Sequence, residues 1–132
     1  RGGHGLFSTA RDYLEFALMT KSGRSREGEP LVSRKVLEFA WHNRLQPHLM
    51  PIAVGPFPQP GYGWNLLGRV MTDLGQAIHP TGMDEGGWAG AAATYYWVDR
   101  NEDLVGVIMT QNLGTLSPMR NDMQTATYQA VT

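Results

Sequence analysis

Apolar positions recur at helical spacing over residues 10 to 21, where Ala10, Leu14, Ala17 and Leu18 form a stripe that Tyr13 and Phe16 widen. Thr9 stands at the N-cap position with Asp12 at N3, and Lys21-Ser22-Gly23 supplies the stop. Ser33 offers a second N-cap, and Leu37, Ala40, Trp41 and Leu45 then share one face of a helix predicted over 34 to 45. Prolines at 47, 51, 56, 58 and 60 cannot donate backbone hydrogen bonds, so Pro47 to Gly61 reads as a long loop, a surface crossover or a binding segment.

Beyond that loop the period shortens. Tyr62 to Met71 sets Trp64, Leu66 and Val70 against Asn65, Leu67 and Arg69, which predicts a first strand. Met83 to Gly90 reads as a short second strand and Ala91 to Asp99 as a third. The polar run Asp99-Arg100-Asn101-Glu102-Asp103 joins Ala91–Val98 to Leu104–Thr110 as an antiparallel hairpin. Ser117-Pro118 is an N-cap followed by an N1 proline, and Met119, Met123, Ala126 and Ala130 place a last helix at the C-terminus. The order is that of an α+β fold, an antiparallel sheet flanked by N- and C-terminal helices.

Composition narrows the function classes. A chain of 132 residues suits one domain. With no cysteine it holds no disulfide framework, zinc–thiolate site or thiol nucleophile. Lys and Arg number 11 against 12 Asp and Glu and are scattered, so no nucleic-acid footprint is expected. The longest apolar runs fall far short of the roughly 20 residues of a membrane span. Charged residues are 17% of the chain, below the usual ~25%, as expected if other protein covers part of its surface. The opening Arg1-Gly2-Gly3-His4 carries neither an initiator methionine nor a signal-peptide pattern and reads as a piece of something longer.

His4, His42, His48 and His79 show no HxH or HxxxH spacing, so no metal site or cofactor is expected and they read as ordinary solvated histidines. Gly2-Gly3-His4-Gly5 has the look of an α/β-hydrolase oxyanion loop, but no G-x-S-x-G elbow accompanies it. The densest feature runs from Asp84 to Asp99, where glycines and alanines leave a strand backbone bare for a substrate or for tight packing beneath a helix.

Several ordered motifs together, Gly2-Gly3-x-Gly5-Leu6-Phe7-Ser8-Thr9-Ala10-x-Asp12-Tyr13, Gly61-Tyr62-Gly63-Trp64, Gly87-Trp88-Ala89-Gly90-Ala91-Ala92-x-Thr94-Tyr95, Val98-Asp99, Asp103-Leu104-x-Gly106-Val107 and Thr110-Gln111, resemble the serine β-lactamase-like family. The nearest branch is that of class C β-lactamases, D-alanyl-D-alanine peptidases and family VIII carboxylesterases. The match spans most of residues 1–132 and corresponds to the C-terminal α+β portion of a β-lactamase/transpeptidase-like, penicillin-binding-protein-like fold.

The resemblance implies a serine hydrolase that forms an acyl-enzyme on esters, amides or β-lactams, through the serine and lysine of S-x-x-K and a Y-x-N tyrosine. Neither motif occurs in these 132 residues: Arg11, Ser25, Gly28, Val36 and Arg120 stand three positions after the five serines. The expected partners are therefore the N-terminal portion of the same fold, in the same or a separate chain, and a small acyl substrate. This segment alone would not be an enzyme.

The third family motif aligns with Trp88-Ala89-Gly90; Pro80-Thr81-Gly82 is a weaker rival, because no strand is expected directly after it. The resemblance then gives the Ala91 backbone N–H to an oxyanion hole, and gives Trp88, Ala89 and Gly90, with Tyr62 at the cleft wall, to substrate binding. Trp88 stands where lactamases carry a cation, which favours neutral substrates. The alternative is a truncated, non-catalytic binding module of the same family; a carbohydrate-binding role for Trp64, Trp88 and Trp97 is a third reading. The compartment stays open, with a periplasmic or secreted one implied by resemblance only.

Overall fold

The computed structural model describes residues 5–113 and 118–132. Helix α1 (Ala10–Ser22) starts where Thr9 Oγ1 accepts the Asp12 N–H at 3.1 Å, and ends where Gly23, at φ 75°, turns its N–H back to Met19 O. Helix α2 (Arg34–Trp41) is capped by Ser33, whose hydroxyl accepts the Val36 N–H. Each such cap contributes about 1 kcal/mol.

After a one-turn helix at Pro47–Leu49 come β1 (Ala53–Val54) and β2 (Phe57–Pro58), which pair with each other. The main sheet then follows as β3 (Tyr62–Trp64), β4 (Arg69–Met71), β5 (Gly86–Ala89), β6 (Tyr95–Asp99) and β7 (Leu104–Ile108), antiparallel throughout and in sequence order. Helix α3 (Met119–Tyr128) closes the chain. None of the described helices is long and apolar enough to cross a membrane.

Strand β6 divides the core by its period of two. Tyr96 and Val98 point to the side of α1 and α2, joining Ala17, Leu37 and Trp41, while Tyr95 and Trp97 join Ile108 and the α3 residue Tyr128. Helices thus cover both faces of the sheet. On the first face Tyr13 meets Tyr96 edge-on at 5.3 Å, and the Trp41 indole donates to Thr20 O at 2.8 Å. On the second, Gly106 leaves bare backbone under the Trp97 ring, where any Cβ would collide with it.

Several expectations need correction. The predicted strand over 62 to 71 is a hairpin, because Asn65 folds its side chain back to accept the Leu67 and Gly68 N–H groups, and Gly68 takes φ 147°. The third strand starts at Tyr95 rather than Ala91, since Gly90–Thr94 closes a turn with Ala93 at φ 58°. Helix α2 stops at Trp41, four residues early, where His42 turns to extended backbone. The proline-rich loop contains the small β1–β2 hairpin.

Two helix faces also differ from the apolar stripes. In α1 the buried positions are Ala17 and Thr20, and Leu14 and Phe16 stay exposed. In α3 it is Gln124 that is fully buried, and the stripe residues Met119 and Met123 face outward. Ser117, the expected cap of the last helix, and Gly2, Gly3 and His4 of the opening motif lie outside the described residues.

Candidate active site

Strand β5 is covered on one edge by β6 along its whole length, with Trp88 opposite Tyr96 and Ala89 opposite Tyr95. On its other edge β4 pairs only with Gly86 and Gly87. The β3–β4 turn lies against the strand at that point, since a Cβ on Gly68 would strike Gly87 O and the Trp88 Cβ. From Trp88 onward the second edge is therefore left unpaired by the sheet.

The end of the strand is built as a fixed turn. Gly90 N–H donates to Thr94 O at 2.8 Å and Ala93 N–H to Gly90 O at 3.1 Å. The Ala92 carbonyl accepts from the Thr110 hydroxyl and from Asn112 N–H. Among the described residues, nothing accepts from the Ala91 N–H, and Ala91 is exposed. A free N–H on a braced turn has the form required of an oxyanion donor, which must be oriented before charge develops.

Beside it lies a cavity of about 360 Å³ walled by Trp88, Ala89, Gly90 and Ala91, closed further by Tyr13, Thr94, Tyr95, Tyr96 and Met109. No charged side chain lines it. Four of the five residues singled out in the sequence meet here. The Tyr96 hydroxyl in this wall donates to Leu67 O at 2.9 Å, and burial pushes its pKa up to about 12, so it stays neutral across the working range. Trp88 is held edge-on by Trp64, ring centres 4.5 Å apart.

Tyr62, the fifth residue, sits elsewhere. Its ring is buried, and its hydroxyl donates to Glu85 at 2.7 Å. Glu85, fully buried, also accepts from Tyr95 at 3.1 Å, Thr81 at 3.2 Å and Gln124 at 3.3 Å. Arg69, likewise buried, donates to the Tyr95 hydroxyl and to Gln59, and lays its guanidinium 3.9 Å from the Tyr62 ring centre. Burial, then the neighbouring Glu85, raises the Tyr62 and Tyr95 pKa values, so both phenols keep the protons they donate.

The sequence pattern missed this cluster, because a polar residue at a strand or helix position reads as solvent-facing. Four donors, Tyr62, Thr81, Tyr95 and Gln124, converge on the Glu85 carboxylate, and Arg69 joins them through the Tyr95 hydroxyl. The cluster ties Arg69 of β4, Tyr95 of β6 and Gln124 of α3 to Glu85 at the start of β5, and Tyr95 also lines the cavity.

His42 and His48 are exposed, and His79 is half-buried with its Nδ1 3.1 Å from Pro80 O. Burial lowers the His79 pKa. Among the described residues, no three His, Asp or Glu side chains gather as a metal site would require.

The family model for β-lactamase matches residues 1–129. Among solved structures, EstCE1, described as a hydrolase with promiscuous acyltransferase activity, superposes with a TM-score of 0.72 over 92% of this chain at 18% identity. No curated protein sequence matches. Fold and family model together define a segment of a β-lactamase-like domain. The chain belongs to the β-lactamase family, and it spans 30% of the length of EstCE1.

Proposed function

We propose that this chain supplies the substrate-binding strand and one oxyanion donor of a serine hydrolase that works through an acyl-enzyme on neutral esters or amides. The observation that carries the reading is the unpaired end of β5, with the free Ala91 N–H beside an uncharged cavity. A substrate laid along Trp88–Ala91 would place its carbonyl at that N–H. The hydroxyl of a serine outside these 132 residues adds to the carbonyl carbon, and its proton passes to a neighbouring base. The Ala91 N–H stabilises the negative oxygen, collapse expels the alcohol or amine carrying the proton held by the base, and water, giving a proton to the same base, adds to the acyl-enzyme and releases the acid as the proton returns to the serine.

The absence of any cation at Trp88 and around the cavity supports neutral substrates over carboxylate-bearing ones. Catalysis is assigned to the complete gene product, since S-x-x-K is not in this segment. The test is intact mass spectrometry of that product before and after a fluorophosphonate. Stoichiometric addition at a serine, with loss of ester hydrolysis, is expected. An unlabelled protein that hydrolyses no ester would refute the catalytic reading and leave the binding-module alternative.

A further inference from the structure

Tyr95 is tied to both ends of β5. It opens β6 opposite Ala89, and the peptide carbonyl that links Thr94 to it accepts the Gly90 N–H at 2.8 Å. Its side chain reaches the other end of the strand. The hydroxyl donates at 3.1 Å to the carboxylate of Glu85, the residue immediately before β5, and accepts from Arg69. Between Glu85 and Ala89 on that face stands Gly87, which has no side chain to part the two groups. One buried residue thus connects the buried carboxylate to the turn that carries Ala91.

The connection bears on the Ala91 N–H through a single peptide plane. That N–H shares its plane with the Gly90 carbonyl, so whatever orients Gly90 orients the donor. Gly90 is held on both sides, its N–H on Thr94 O and its carbonyl under the Ala93 N–H at 3.1 Å. The other braces on the turn, from the Thr110 hydroxyl and the Asn112 N–H, end on the Ala92 carbonyl and come from the chain after β7. Tyr95 therefore secures the Gly90 side of Ala91 and the segment after β7 the other.

We propose that Tyr95 is a positioning residue, whose hydroxyl, held between Glu85 and Arg69, fixes the Gly90–Thr94 turn and so aims the Ala91 N–H at the substrate carbonyl. Its effect on turnover rests on the hydrolase reading above; its hold on the turn does not. The hydroxyl, engaged by two partners, acts through the backbone and not on the substrate. Deleting an oxyanion donor outright costs about 10²–10³ in kcat. Loosening its peptide plane leaves the N–H present, so the loss should be smaller, about tenfold. It should fall on kcat with KM unchanged, because the donor is needed most once the carbonyl oxygen has become negative.

The experiment uses the complete gene product as wild type, Tyr95→Phe and Tyr128→Phe. The first variant deletes the hydroxyl and keeps the ring. The second deletes a hydroxyl on the same face of the sheet, bonded to Asp99 at 2.7 Å, at the end of β6 away from the turn. In Tyr95→Phe, kcat for 4-nitrophenyl acetate should fall about tenfold with KM within about twofold of wild type. Hydrogen exchange, read by mass spectrometry on a peptide covering residues 89–95, should quicken by about tenfold in the same variant. Tyr128→Phe should move neither quantity by more than about twofold. Arg69→Lys keeps the buried charge while withdrawing the guanidinium from the Tyr95 hydroxyl, and should shift both quantities in the direction of Tyr95→Phe; it decides the question where Tyr95→Phe does not fold.

Equal effects of Tyr95→Phe and Tyr128→Phe on kcat and on exchange, whether large or nil, would overturn the assignment and leave the hydrolase reading standing. A loss carried by KM alone would place Tyr95 in substrate binding and overturn it as well. A wild type that neither hydrolyses the ester nor takes up a fluorophosphonate would refute the hydrolase reading. Quicker exchange of residues 89–95 in Tyr95→Phe alone would then still support the hold on the turn, and equal exchange in all the proteins would overturn that too.

Discussion

The buried cluster behind the cavity makes a quantitative prediction. All four contacts on Glu85, from Tyr62, Thr81, Tyr95 and Gln124, come from donors, so an acceptor-only carboxylate satisfies them and an amide cannot. Glu85→Gln turns an NH₂ toward a hydroxyl that has nowhere else to donate. It also leaves Arg69, at 2% exposure, with no opposing charge in the cluster. Removing one member of a buried charge pair in direct contact costs about 3–5 kcal/mol; Arg69 and Glu85 meet through the Tyr95 hydroxyl, so the lower end, about 3 kcal/mol, is expected. Urea slopes are about 1–3 kcal/mol/M for small proteins and rise with size, so the unfolding midpoint of the complete gene product should fall by about 0.5 M or more.

Arg69→Met should cost a comparable amount, because it strips Tyr95 of its donor and leaves Glu85 unbalanced. The double variant removes both charges and should be less destabilised than the two singles combined. The expected coupling is at least about 1 kcal/mol, as found for residues in one charged network. Urea unfolding of all four proteins, followed by tryptophan emission and compared at equal slope, measures it. Additivity within about 0.5 kcal/mol would refute the argument that Arg69 and Glu85 act as a pair through Tyr95.

Trp88→Lys introduces a cation beside the cavity and should raise turnover of a carboxylate-bearing substrate relative to a neutral ester; an unchanged ratio of kcat/KM values would sink the account of substrate charge. Ala91→Pro deletes the free N–H, so kcat should fall by about 10²–10³ while the thermal midpoint holds, and full activity would move the oxyanion donor elsewhere. Gly106→Val forces a side chain into the Trp97 ring and should cost about 1–3 kcal/mol in urea unfolding, whereas a neutral result would contradict the close approach. The folded His79 pKa lies below 6.5, so the unfolded chain binds more protons and stability declines as pH drops below about 6.5. His79→Gln should flatten the melting temperature between pH 7.5 and 5.5, and an equal slope in both proteins would refute it.

The parts of the fold legible in the sequence were those governed by local chemistry. Thr9, Ser33 and Gly23 cap helices through contacts within four residues, and the Asp99–Asp103 turn joins β6 to β7 as read. What escaped was decided at a distance. The Asn65 turn splits a ten-residue apolar alternation into β3 and β4, because a side-chain carbonyl holding two N–H groups outweighs the pattern of the residues around it. In α3 the buried Gln124 belongs to Glu85, 39 positions earlier, so the outward methionines mimicked a core face. Trp88, Ala89, Gly90 and Ala91, singled out in the sequence by bare backbone and an ordered motif, line one cavity.

The division of labour within β5 follows from these contacts. Its first half, Gly86 and Gly87, is sandwiched between β4 and β6, with Glu85 immediately before it anchored by four donors. Its second half has one free edge and ends in a turn braced from Thr110 and Asn112. A strand free along its whole length would fray, and one paired along its whole length could accept nothing. Rigidity in the first half lets the second half keep unpaired backbone groups in position, at the cost of a polar cluster whose members must all be present at once. Damage to Glu85 should therefore reach the cavity through β5 itself, and partial loss of the cluster should loosen Trp88 and Ala91 before the sheet as a whole unfolds.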